Sequence, residues 1–159
     1  MRPKLLVASV VLSMLGVSAC GGSSSSSSSA GSGVPATKTK STGPLVIYRV
    51  ALSGSAETPA GAPAGVGDAV IAFHGSSVVC WRFAHLHGFT SATFAHIHSG
   101  AKGKSGKIVV PLSTGSALHH RGCVPVSPTL TKAIERHPSD YYVNVHSVKY
   151  PAGAVRAQL

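Results

Sequence analysis

From Pro44 onward, short runs rich in Val, Ile, Tyr and Phe alternate apolar with polar positions, each run bounded by Gly, Pro or Ser. A period of two marks strands with one buried face. The pattern predicts strands over 45–52, 68–74, 78–87, 92–98, 107–112, 141–148 and 154–159, with a Gly- and Lys-rich turn over 100–106. One segment breaks the alternation. Ser127-Pro128 reads as an N-cap followed by Pro in the first helical position, and Leu130, Ala133 and Ile134 recur at helical spacing until His137-Pro138. The expected fold is therefore all-β, an antiparallel β-sandwich with one short helix laid over one end.

The first 44 residues carry no such alternation. Arg2 and Lys4 precede an apolar run over 5–17 that ends in small residues, the layout of an export signal and too short to span a bilayer comfortably. Val17-Ser18-Ala19-Cys20 resembles the lipobox of bacterial lipoproteins, in which the Cys is acylated and becomes the new N-terminus. The expected organisation is a lipoprotein signal peptide over 1–19, a tether over 20–44 and a domain over 45–159, with Cys20 as the lipid anchor. Ordinary secretion with a coincidental Cys is the alternative. The tether contains seven consecutive Ser at 23–29 and too little apolar surface to offset the entropy of ordering. These features predict a chain held to the extracytoplasmic face of a cell membrane.

Export changes the meaning of the charge. The formal net charge is +10, and loss of Arg2 and Lys4 with the signal leaves +8. Inside a cell such a balance would suggest nucleic acid. Outside the cytoplasm the expected partners are an anionic envelope polymer, lipid headgroups or an extracellular protein, with a solvated basic surface as the alternative. Lys102, Lys104 and Lys107 form the densest cluster. With Cys20 acylated, Cys80 and Cys123 remain, and an oxidising compartment predicts a disulfide between them. A redox or metal pair would need a closer spacing.

Several motifs in fixed order carry a family resemblance over residues 45–159. They run from Gly54-Ser55-Ala56-Glu57-Thr58-Pro59 through Ala95-His96-Ile97-His98 to Tyr142-Val143-Asn144-Val145-His146-Ser147 and Val155-Arg156-Ala157-Gln158-Leu159. The whole resembles the CHRD (chordin-type) domain. That resemblance implies a sandwich of immunoglobulin-like or superoxide-dismutase-like layout and gives only a hint of a binding role. Ala154 and Ala157 depart from the family pattern, where an acidic residue and a Gly are common.

Candidate chemistry rests on histidine. The chain has nine His but only four carboxylates, Glu57, Asp68, Glu135 and Asp140. Residues two apart on a strand share a face, so His96 pairs with His98 and His85 with His87. His146 is the natural third partner for His96 and His98, and three neutral imidazoles suit Zn²⁺ or Cu²⁺. The segment Phe94-Ala95-His96-Ile97-His98 resembles the His-x-His of copper-zinc superoxide dismutases, although the rest of that ligand set is not apparent. The competing expectation is a buried polar network in which these histidines bond to strand ends and to each other, completed by Asn144 and Arg156. His119 and His120 are expected to face solvent. Trp81 is expected in the core near the disulfide. Carboxylates are too scarce for a nucleophilic triad or a glycosidase pair, and neither a P-loop nor a dinucleotide fingerprint occurs. The function expected first is a non-enzymatic envelope lipoprotein whose domain binds or supports a partner, with no cofactor. The alternative is a metal-binding or redox-protective protein.

Overall fold

The computed structural model describes residues 43–159; the predicted signal, Cys20 and nearly all of the tether lie outside them. Eight strands form the fold: β1 (Leu45–Ser53), β2 (Val66–His74), β3 (Val78–His87), β4 (Ala92–Ser99), β5 (Ile108–Ser113), β6 (Arg121–Pro125), β7 (Tyr141–Ser147) and β8 (Val155–Gln158). One helix, α1 (Pro128–Arg136), links β6 to β7. All pairings are antiparallel, and the strands join in one sheet of order β5-β4-β7-β8-β1-β2-β3-β6. The sheet curls until its two edge strands, β5 and β6, touch. The all-β expectation therefore holds, and the layers of the expected sandwich are the two sides of one nearly closed sheet. Closure of this kind leaves little unpaired edge.

The alternation read from the sequence sets the interior. Leu52, Ile71, Phe73, Val79, Trp81, Phe83, Ile97, Val143, Val145 and Val155 all point inward and are nearly or wholly buried. Each contributes about 1.5–3 kcal/mol through removal from water. Helix α1 closes one end. Ser127 caps it by accepting from Leu130 N, and Ile134 is fully buried, whereas Leu130 and Ala133 are only partly so. The third deep contact is Thr131, whose hydroxyl donates to the Ser76 carbonyl at 3.1 Å.

The eighth strand, β6, was not among the predicted elements. Arg121-Gly122-Cys123-Val124-Pro125 is short and carries a Gly and a Pro, so local propensity hides it. Tertiary contacts supply what propensity lacks. Cys80 and Cys123 occupy paired positions on β3 and β6 and form the expected disulfide. In the adjacent pair, Trp81 lies over Gly122, where an added Cβ would stand 2.5 Å from the indole. The indole N–H donates to the His119 carbonyl at 3.0 Å. Trp81 is thus a core residue beside the disulfide.

The disulfide closes a span of 43 residues. Such a loop corresponds to about 4 kcal/mol on a chain-entropy argument. The double variant Cys80→Ala/Cys123→Ala is expected to lose up to about 4 kcal/mol in urea unfolding, with the β spectrum of the folded state retained.

Candidate metal centre

On most of the sheet the outer face meets solvent, but on β4, β7 and β8 both faces are buried. Odd-numbered residues Ala95, Ile97, Val143, Val145, Val155 and Ala157 face the apolar interior. Even-numbered residues His96, His98, Tyr142, Asn144, His146, Arg156 and Gln158 share the opposite face. Register aligns them in rows: His96 beside Asn144 beside Arg156, and His98 beside Tyr142 beside Gln158.

Loops cover this second, polar layer. Arg156 is 2% exposed and donates to the Lys104 carbonyl at 2.9 Å and the Ala101 carbonyl at 3.0 Å. Gln158 donates to the Gly100 carbonyl at 2.8 Å and the Ser139 carbonyl at 2.6 Å. The loop over 100–107 is thereby tied down by its backbone. Lys102, Lys104 and Lys107 are left exposed. A second loop, after β1, is joined to the first by the Ser105 hydroxyl, which donates to the Thr58 carbonyl.

Among the described residues, His96, His98 and His146 each offer one nitrogen to a group whose atoms all lie within 4.8 Å of one another. His96 Nδ1 is 3.1 Å from His146 Nε2, and the Nε2 atoms of His98 and His146 each lie 3.1 Å from Asn144 Oδ1. Two backbone carbonyls decide the proton positions. His98 Nδ1 donates to the Gly106 carbonyl at 2.9 Å, and His146 Nδ1 donates to the Pro151 carbonyl at 2.9 Å. A neutral imidazole carries one proton, so both Nε2 atoms turn lone pairs inward. Fixing the tautomer through the outer N–H is how proteins prepare imidazole for a metal.

Packing fixes the rings as well. His98 stacks on Tyr142 with centroids 4.7 Å apart and planes 7° from parallel. The Arg156 guanidinium carbon lies 3.3 Å from the Tyr142 ring centroid, so Tyr142 lies between a cation and an imidazole. Gly106 belongs to the same arrangement: a Cβ there would stand 1.5 Å from the Ser99 carbonyl oxygen.

Burial makes the charged imidazoles unfavourable. His96 is pushed down to about 4, first by burial and then by the neighbouring charges of His146 and His98. His98 and His146 are also lowered, mainly by burial, against the opposing pull of their carbonyl partners. All three histidines are therefore poised as neutral donors at neutral pH.

The structure adds Glu57, which the sequence argument placed in a turn motif and not in the site. It is 7% exposed, and burial raises its carboxyl to about 7 against the lowering effects of the Asn144 hydrogen bond, the Arg156 charge and the Thr58 backbone. Scarcity was the available signal, since Glu57 is one of four carboxylates and sits in a recognisable motif. His85 and His87 are not drawn in. They sit exposed beside a bulge in the β2–β3 pairing, with His85 2.7 Å from Asp68. His119 and His120 are exposed as expected. Of the competing polar network, the bonds from His98 and His146 to backbone carbonyls are present, while Arg156 serves chiefly to hold the covering loop.

Fold and site together define a small, disulfide-linked all-β domain with a preorganised three-imidazole cluster under a loop lid. The chain belongs to the CHRD family: the CHRD domain model matches residues 48–159. No curated protein and no solved structure matches it.

The two kinds of pKa shift act on stability with opposite signs. A raised carboxyl means that the folded state holds the proton longer, so Glu57 costs stability as pH rises from 4.5 to about 7. A lowered imidazole means that the unfolded chain binds protons first, so His96 costs stability as pH falls from 6.5 to about 4. Glu57→Gln is therefore expected to raise stability by roughly 2–3 kcal/mol above the Glu57 titration and to change it little in acid, as read by urea unfolding across pH.

Proposed function

We propose that this protein is a lipid-anchored, non-enzymatic metal-binding module of the cell envelope, taking one Zn²⁺ or Cu²⁺ ion on His96, His98 and His146. The observation that carries the reading is the pair of backbone carbonyls holding the Nδ1 protons of His98 and His146, which leaves both Nε2 lone pairs converging near His96 Nδ1. Nitrogen donors of this type favour these two ions over Mg²⁺ or Ca²⁺. Metal binding sharpens, and does not oppose, the binding or structural role that membership of the CHRD family is consistent with.

What supports the anchor is the lipobox-like Val17-Ser18-Ala19-Cys20 and the Ser-rich tract after it. Acylation of Cys20 would place the domain on the extracytoplasmic face of the membrane. The partner side of the reading rests on Lys102, Lys104 and Lys107, which are exposed on one loop and suit an anionic envelope polymer or an acidic extracellular protein, with no role for nucleic acid.

Two measurements test these statements. Full-length protein equilibrated with Zn²⁺ or Cu²⁺ and freed of excess is expected to retain about one ion per chain by mass spectrometry, and His96→Ala/His98→Ala almost none. Equal retention by the two proteins would overturn the site. In a bacterial host, wild-type chain is expected in the membrane fraction with a diacylglyceryl mass on Cys20, and Cys20→Ser in the soluble fraction; membrane recovery of the Ser variant would overturn the anchor.

A further inference from the structure

Burying Glu57 costs stability that its neighbours offset only in part. Its Oε1 is, among the described residues, the buried side-chain atom left without a hydrogen-bond partner. The carboxyl is pressed against Gly153, whose φ of +142° suits glycine and where a Cβ would stand 2.2 Å from Oε1. The Asn144 side chain, the charge of Arg156 and the Thr58 backbone favour its ionised form, and burial outweighs them. Of these, Asn144 reaches the histidines.

A carboxamide has a donor end and an acceptor end of nearly equal shape. The end that faces His98 and His146 decides what becomes of their lone pairs. With Oδ1 inward, as here, three acceptors meet at 3.1 Å with no proton supplied by the amide. With Nδ2 inward, its two N–H groups would bond both Nε2 atoms and cap them. Left to itself the amide would choose the second arrangement. An ionised carboxylate only accepts, so it holds the Nδ2 end on its own side.

We propose that Glu57 is a positioning residue of the histidine site: by accepting from Asn144 Nδ2, it keeps the amide oxygen toward His98 and His146, so that the amide N–H groups do not cap the lone pairs a divalent cation would take. The cation link rests on the metal-binding reading above, whereas the amide orientation can be read without metal.

Glu57→Gln tests this because glutamine keeps the shape but can donate to Asn144 Oδ1, allowing the amide to turn. In the full chain, Zn²⁺ affinity from chelator competition is expected to fall about 10–100-fold, even though the variant unfolds at higher denaturant than wild type. In metal-free protein above the Glu57 titration, nitrogen-15 spectra are expected to show the Asn144 amide protons bonded to imidazole nitrogen in the variant and to carboxylate in wild type. In an Asn144→Ala background the Glu57→Gln change is expected to alter affinity by less than about twofold, because Glu57 acts through that amide. Undiminished affinity in Glu57→Gln, or an amide facing the imidazoles in both proteins, would overturn the positioning role. If wild type takes up no Zn²⁺ yet the amide turns on substitution, the positioning role stands and the metal-binding reading falls.

Discussion

The site depends on one constraint: β4, β7 and β8 are buried on both faces. A strand with one wet face lets its polar side chains bond to water. Here the loop over 100–107 and the turn after β1 cover much of that face, and the buried outward groups, from His96 to Arg156, must find a protein partner or carry a cost. The partners found are mostly backbone carbonyls, which only accept. Carbonyls therefore dictate that His98 and His146 keep protons on their outer nitrogens, and the inner nitrogens are left to act as bases.

That constraint ties fold to chemistry. The core beneath the site is ordinary, with Ile97, Val143 and Val155 packed under the polar layer. It fixes the rows that place His96 beside Asn144 and His98 beside Tyr142. Arg156 holds the lid from below through two loop carbonyls and braces Tyr142, against which His98 stacks. The disulfide lies far along the strand order, on β3 and β6, where it secures an edge that sequence propensity alone would not hold.

Much of this was legible in the chain. Period-two alternation located seven of the strands, and Ser127-Pro128 located the helix start. His96 and His98 shared a face because of their spacing, and only the pairing of β4 with β7 was needed to add His146. What stayed hidden was non-local. Strand β6 exists because Cys123 and Gly122 meet Cys80 and Trp81, and nothing within Arg121–Pro125 announces it. Glu57 is distant in sequence from every histidine of the site, and only the folded loop brings it to Asn144. The turning of the strands into a single curled sheet is likewise a property of pairing order, which periodicity does not encode.

The central claim is that three neutral imidazoles, two of them with their protons fixed on backbone carbonyls before any ion arrives, form a metal site on the outer layer of a CHRD domain. X-ray absorption on the Zn²⁺-loaded chain addresses it directly. The account predicts three imidazole nitrogens at about 2.0–2.1 Å, with the outer-shell scattering of histidine rings. A first shell made of oxygen alone, or of a single imidazole, would contradict it.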